Sequence, residues 1–335
     1  MSTGSRERWL ALWDDHPYRD DFAGVARGFV LEVDGSIVGT ISTLWAKYCF
    51  MGREWRVGIA GNAAVDHSHR SGSIRLFGEQ LLQPGIDLYV NGSASATASK
   101  IMEALKVCRI PQADNDVCLL WAANGHRVAQ AGLARRRVPL ARVAAWPVGA
   151  GLRVATSVKL RRAGRAGYPV SVCAEFSDEF DRLWALLRRD STRLLGFRDS
   201  AMLRWRYAHH IGAGAAVLLT VRRDGSLAGY AILVRRHHAR AGVGAYGVHD
   251  FQCVDEDPDL AASLLSAAVS EARRASLDVV EWMGFSGFKR AIAERSCLLR
   301  YHLEYWQAYY HARDGGLKEA LKSPTPWDFS PYDSD

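Results

Sequence analysis

The stretch Arg56–Leu82, RVGIAGNAAVDHSHRSGSIRLFGEQLL, decides how this chain reads. Its first ten residues, to Val65, are small or β-branched and predict a strand. A polar turn holding Arg70 and Gly72 follows, and an amphipathic helix opens at Ser71 or Ser73 with Ile74, Phe77, Leu81 and Leu82 on one face. Pro84 and Gly85 stop that helix. Strand, basic glycine-containing turn and helix together present backbone N–H groups and the positive end of a helix dipole to an anion such as a phosphate.

Outward from there the chain shows the same order twice. Phe29–Val33 and Ile37–Leu44 flank Asp34-Gly35, a strong hairpin signal, and Tyr48–Phe50 turns into Trp55–Val65. After the helix Ser73–Leu82 come a strand Asp87–Val90, a turn at Asn91–Ser93 and a helix Ala94–Leu105. In the second half, helix Asp178–Leu187 precedes a hairpin, Ala215–Val221 and Leu227–Val234, around Asp224-Gly225. Strand Gly247–Val254, helix Leu260–Arg274, strand Val279–Met283 and helix Phe288–Leu298 complete it. Matching element order without matching residues suggests a duplicated fold. Arg135–Tyr168 reads as the link, and the proline-bearing end after Lys322 as an extended arm.

At 335 residues the chain exceeds one comfortable core, so two domains of roughly 150 residues are expected, divided as 1–150, 151–322 and a tail 323–335. No apolar run approaches the roughly 20 residues of a membrane span, and Asp14 and Asp15 interrupt any signal core. Six scattered cysteines without a CxxC pair read as free thiols of a cytoplasmic protein, with neither a disulfide framework nor a metal site. The net charge of +7 is uneven: Val117–Ala174 holds no Asp or Glu but ten Lys and Arg. Such a block suits a solvated connector or an anion: a cofactor phosphate, a sugar nucleotide, a lipid surface or nucleic acid. No nucleic-acid motif accompanies it.

The first half resembles a GCN5-related N-acetyltransferase domain. That family's cofactor segment is a strand ending in Val, a polar spacer, then Arg-Gly-x-Gly-x-Gly or Ala leading a helix. Val65-Asp66-His67-Ser68-His69-Arg70-Ser71-Gly72-Ser73-Ile74 keeps the Val and the Arg, shifts one glycine to Gly72 and carries Arg75 at the last small position. Asn91-Gly92-Ser93-Ala94 matches the family's Asn-x-x-Ala. Arg198-Asp199-Ser200-Ala201-Met202-Leu203-Arg204-Trp205-Arg206-Tyr207 resembles an element of tandem bacterial acyltransferase-like proteins, relatives of the Fem aminoacyl ligases.

The resemblance implies an α+β protein of two tandem acyl-CoA N-acyltransferase-like domains, each a mixed, mostly antiparallel sheet flanked by helices. It implies acetyl-CoA or another acyl-CoA as co-substrate and no metal. The pantetheine would lie between two splayed strands near Val65, and Arg70, Ser71, Gly72, Ser73 and Ile74 would hold the pyrophosphate, with Asn91 on the neighbouring strand. The acceptor would be an amine, a small molecule or an amino sugar of a polysaccharide or natural-product pathway.

Attack of an amine on a thioester requires a base and a proton for the departing thiolate. The family's strand Glu has no counterpart within Arg56–Val65, so Glu54 is the nearest acid; the helix Tyr position falls at Ala98, beside Ser99. Glu54 also reads as a solvated turn residue and Ser99 as a helix-surface residue. In the second half, Asp255, Glu256, Asp257 and Asp259 would repel a pyrophosphate, which implies no coenzyme site there. Two other readings stand: a Fem-like transferase using aminoacyl-tRNA, and a degenerate pair that binds a ligand without turnover.

Overall fold

The computed structural model describes residues 6–111, 116–164, 167–239, 241–285, 287–303 and 306–334. In chain order the elements are α1 (Arg6–Asp14), β1 (Gly28–Val33), β2 (Ser36–Phe50), β3 (Arg53–Val65), α2 (Ser73–Leu82), β4 (Leu88–Ala94), α3 (Ala96–Ala104), β5 (Cys108–Arg109), β6 (Val117–Ala122), α4 (Gly125–Arg135), α5 (Ala141–Ala163) and β7 (Val170–Cys173). There follow α6 (Glu179–Leu187), β8 (Leu195–Gly196), α7 (Ser200–Gly212), β9 (Ala216–Arg223), β10 (Ser226–His238), β11 (Val243–Cys253), α8 (Pro258–Arg274), β12 (Val279–Trp282), α9 (Gly287–Ser296), β13 (Leu299–His302), β14 (Gln307–Ala312) and α10 (Gly315–Ala320). Both Asp-Gly hairpins form as read: Asp34 and Gly35 have φ of 50° and 74°, Asp224 and Gly225 of 52° and 78°, two positive values in a row as a tight two-residue hairpin requires.

The chain divides into two units, each with its own mixed sheet and flanking helices. Unit one comprises Met1–Asp114, Arg188–Trp205 and Glu304–Asp335; unit two comprises Asn115–Leu187 and Arg206–Leu303. Sheet one runs β1-β2-β3-β4-β14-β5, with β8 on β2, and sheet two runs β13-β6-β12-β11-β10-β9-β7. These bounds differ from the expected cut at residue 150. The cause is non-local: β6 pairs with β12 and β13, while β14 pairs with β4 and β5 and the short β8 with β2, so strands from each half of the sequence complete the other half's sheet. Each unit repeats an antiparallel meander followed by a helix and a parallel strand, β1-β2-β3-α2-β4 and β9-β10-β11-α8-β12.

Three local expectations are corrected. The basic link is mostly helix: α4 ends at Arg135, Pro139 lies in the turn that follows, and α5 runs Ala141–Ala163 through Pro147. The face that α2 buries is Ser73, Leu76, Phe77, Gln80 and Leu81, at i, i+3, i+4, i+7 and i+8, while Ile74 and Leu82 are exposed. The end of the chain is not an extended arm: Trp327, Asp328, Phe329, Ser330, Pro331, Tyr332 and Asp333 are buried in unit one, and Asp335 lies outside the described residues. Of the cysteines, Cys118, Cys253 and Cys297 are buried, the other three half-buried, and all are free. Among the described residues no helix is long and apolar enough to cross a membrane, and no group of three His, Cys, Asp or Glu is placed to hold a metal ion.

Sheet one has a core on each face. One joins Trp13, Phe22, Trp45, Val57, Ile59 and Val90 to Trp327 and Phe329. The other joins Tyr89, Met102 and Tyr309 to Leu76, Phe77 and Leu81 of α2. His16 sits at the first core with both ring nitrogens engaged: Nδ1 accepts the Tyr18 N–H at 3.1 Å and Nε2 meets the Trp45 carbonyl at 3.0 Å. That pattern suits the neutral ring, and burial pushes the His16 pKa down to about 4. The folded chain then refuses a proton that the unfolded chain accepts near pH 6.5. Stability from His16 is therefore complete above pH 6.5 and lost as pH falls through 4, by about 3 kcal/mol in all. Urea titrations at pH 7.5 and 4.5 should show this loss, and His16→Gln should reduce it.

Candidate functional site

The site is built where β3 and β4 part. They pair in parallel at Val57↔Leu88, Gly58↔Tyr89 and Ile59↔Val90, and there the ladder ends. Beyond it β3 continues to Val65 and stays paired only with β2, through Gly39↔Val65, Thr40↔Ala64 and Ser42↔Gly61. On the other side β4 continues to Ala94 paired only with β14, through Asn91↔Tyr309 and Ala94↔Gln307. The two facing edges carry backbone donors and acceptors without a strand partner, so the opening accepts an extended polar chain much as an edge accepts a strand. A register shift between Thr40 and Ser42, opposite Asn62 with φ of 44°, bends β3 at this place. Asn62, Ala63 and Ala64 are exposed and Val65 half-buried.

Directly after β3 a 3-10 turn, His67–Gly72, runs into α2. Neither element has a side-chain cap, and the first turn of α2 contains no acid. Arg70, Ser71, Ile74 and Arg75 are exposed. Neither Arg70 nor Arg75 has an ion-pair partner among the described residues, so both cations stand free beside an uncapped helix N-terminus. The dipole there favours an anion by about 0.3–1 kcal/mol, and free guanidinium groups add paired hydrogen bonds to it. Arg75 breaks the motif in sequence, yet it stands exposed in the first turn of α2.

Two residues of the turn serve the fold. A Cβ on Gly72 would lie 2.3 Å from Leu31 Cδ2, so the glycine lets β1 pack under the turn. Ser73 is buried, and its N–H is already donated to the Arg70 carbonyl. Asn91 is buried with its side-chain oxygen accepting the Ser93 N–H at 3.3 Å.

The two candidate catalytic residues part company. Glu54 lies at the start of β3, eleven residues from Val65 and so about 35 Å away along the strand. Its carboxylate pairs with Lys47 at 2.9 Å and Arg188 at 3.8 Å. It is not brought to the opening, because a side chain at the first residues of the strand cannot reach its far end. Ser99 is in α3, buried rather than at the helix surface, and its hydroxyl has no partner. An orphaned buried hydroxyl costs about 1–3 kcal/mol, so Ser99→Ala should leave the unfolding free energy unchanged or higher in a urea titration. Destabilisation by more than about 1 kcal/mol would show that the hydroxyl is satisfied in the fold.

Near the opening the end of the chain supplies a wall that the sequence did not announce. A Cβ on Gly92 of β4 would lie 2.7 Å from Phe329 and 3.0 Å from Ser334. The Gly92 carbonyl accepts the Trp306 indole N–H at 2.7 Å. Asp333 fixes this segment: its carboxylate accepts from the Tyr48 hydroxyl at 2.7 Å and from the Ser330 N–H at 2.9 Å, and pairs with Arg198 at 3.5 Å. The Arg198 guanidinium, fully buried, lies 4.1 Å from the Tyr332 ring centroid. The Arg198-Asp199 motif is therefore structural here, since Asp199 also caps α7 by accepting the Met202 N–H at 2.8 Å.

The equivalent place in unit two has its helix N-terminus capped. β11 and β12 separate after Val248↔Trp282, but Asp257 caps α8 by accepting the Asp259 and Leu260 N–H groups. Arg223 pairs with both Asp255 and Asp257, so the acidic cluster is matched by a cation that sequence spacing did not reveal. Asp250, an acid on an apolar strand, is satisfied by the Tyr230 hydroxyl at 2.6 Å.

Among solved structures the chain is similar to a GCN5-related N-acetyltransferase from Kribbella flavida, at 12% identity and a TM-score of 0.56, over 93% of this chain and 64% of that one. It is similar to another from Anabaena variabilis ATCC 29413, at 11% identity and 0.52, over 93% and 72%. Eis1 from Mycobacterium abscessus matches at 13% identity and 0.50, over 94% and 73%. No protein-family model and no curated protein matches the sequence. Likeness at this identity establishes the fold, that of GCN5-related N-acetyltransferases, in both mixed sheets.

Proposed function

We propose that the protein is an acyl-CoA-dependent N-acyltransferase whose unit one binds the coenzyme and whose acceptor is a small-molecule amine, with amino sugars the first class to test. The observation that carries this is the opening between β3 and β4 leading straight to an uncapped helix flanked by Arg70 and Arg75. The residues fit the group: two unpaired strand edges suit the amide-bearing pantetheine, and two free cations suit a pyrophosphate. Bound there, the coenzyme would supply an acyl group activated as a thioester.

The chain's own part is then to hold and orient. The free edges of β3 and β4 align the pantetheine, Arg70, Ser71 and Arg75 hold the phosphates, and Gly72 keeps the turn seated on Leu31. Ser99 is assigned the donor that meets the departing sulfur, since a buried hydroxyl without a partner gains one only when something enters. Glu54, held by Lys47 and Arg188, is assigned no part in proton removal. Unit two, with its capped and acidic helix end, is assigned no coenzyme.

Calorimetric titration with acetyl-CoA tests the reading: micromolar binding supports it, and no binding overturns it. One observation favours a second reading, a binding protein without turnover: Glu54 at β3's start is held in ion pairs, and Ala98 stands where the family has Tyr. Thiol release measured across an amine panel separates the two. With Ser99 as donor, Ser99→Ala should lower kcat at least about tenfold while acetyl-CoA affinity stays within twofold.

A further inference from the structure

Helix α5 is apolar on two opposite faces. Its inner face, Ala145, Gly149, Thr156 and Leu160, is buried in unit two. On the outer face Val143, Pro147, Ala150, Val154 and Val158 recur at i, i+4, i+7, i+11 and i+15, a continuous stripe along one side of a helix. All five are exposed, Val143 to 67% and Val154 to 65%. Leu140 before the stripe is 79% exposed and Trp146 beside it 69%. Exposed large apolar side chains scattered singly need no explanation, but a contiguous stripe of them does.

The same region is strongly cationic. Arg135, Arg136 and Arg137 precede the stripe, Arg142 and Arg153 flank it, and Arg161 and Arg162 follow it, all exposed. No carboxylate occurs in sequence from Val117 to Ala174. Beside Trp146 opens a recess of about 610 Å³ lined by His126, Arg153 and Arg273, again without a carboxylate on its wall. The His126 and Trp146 rings lie 4.5 Å apart at its rim, and His126 Nδ1 is buried without a partner.

We infer that the outer face of α5 docks on an anionic lipid surface, with the stripe entering the acyl boundary and the arginines meeting phosphate headgroups, one of them in the recess. Apolar side chains with a basic border and no acid are what such an interface selects, each Lys or Arg near the surface adding to the attraction. Charge opposes the alternatives. In an antiparallel pairing with a second copy, Arg161 and Arg162 would face Arg135–Arg137 of the other helix, and in a parallel pairing every cation would face itself. Nucleic acid would match the arginines but leave the valine stripe and Leu140 unused.

The test uses the full chain with large unilamellar vesicles of phosphatidylcholine alone or with 30% phosphatidylglycerol, read by flotation and by tryptophan emission. The mixed vesicles should bind the protein at least about tenfold more tightly than neutral ones, with a blue shift that Trp146→Phe removes. Arg135→Glu, Arg136→Glu and Arg142→Glu together should weaken binding at least about 100-fold. Val143→Ser with Val154→Ser should abolish the blue shift; all these positions are exposed, and circular dichroism melting checks the fold. Failure to bind mixed vesicles, or equal binding to neutral ones, overturns the proposal. So does a dimer in sedimentation velocity that the serine variant dissolves, or duplex DNA binding that survives the serine variant and displaces vesicles.

Discussion

Asp333→Ala destabilises unit one by about 3–5 kcal/mol, measured by urea titration at pH 7.5. The carboxylate is 2% exposed and is a counter-ion of a guanidinium that is fully buried. Removing it takes this counter-ion from Arg198, which also donates to the Gly196 carbonyl at 2.8 Å and lies over the Tyr332 ring. A buried charge stripped of its partner costs several kcal/mol, far more than the pair itself contributes. The Tyr48 hydroxyl and the Ser330 N–H lose their acceptor in the same step. Asp333→Asn should cost less, because the amide oxygen still accepts from Tyr48. The sharper check is a cycle: Arg198→Met with Asp333→Leu should be less destabilising than Asp333→Ala alone, since no unpaired charge remains. Were the double variant the worst of the set, the ion pair itself would be the stabilising term.

Arg70→Glu with Arg75→Glu raises the acetyl-CoA Kd at least about 100-fold without changing stability by more than about 0.5 kcal/mol. Both side chains are exposed and neither is ion-paired among the described residues, so the fold loses little when they are changed. Two reversals at an uncapped helix N-terminus turn an anion-attracting place into a repelling one. A Gly72 substitution would not serve, because a Cβ there strikes Leu31 and mixes packing with binding. Calorimetry reads the affinity and a urea titration the stability. Unchanged affinity in the double variant would remove the coenzyme from this turn while leaving the fold assignment untouched.

How much of this was legible in sequence depends on the range of the interaction. The two Asp-Gly hairpins, the strand read as Arg56–Val65 and the helix Ser73–Leu82 were readable because turn geometry and periodicity are written within a few residues. The basic turn at Arg70 was readable for the same reason, as was the acidic run Asp255–Asp259 before α8, although Arg223, the cation that pairs with two of its carboxylates, was not. Glu54 was selected by sequence proximity alone, and strand length carries it away from the opening. Ser99 read as surface because its own helix gives no sign of what covers it.

What the sequence by itself determined is the set of local elements, their repeated order and the cationic turn after β3. What only the tertiary structure decided is the exchange of β6 and β14 between the sheets, the burial of Trp327–Asp333 and the pairing of Arg198 with Asp333, 135 residues apart. The physical reason is common to all three. A strand's edge hydrogen bonds and a buried charge's partner are specified by complementarity across the fold, and nothing in the neighbouring residues encodes which distant segment supplies it.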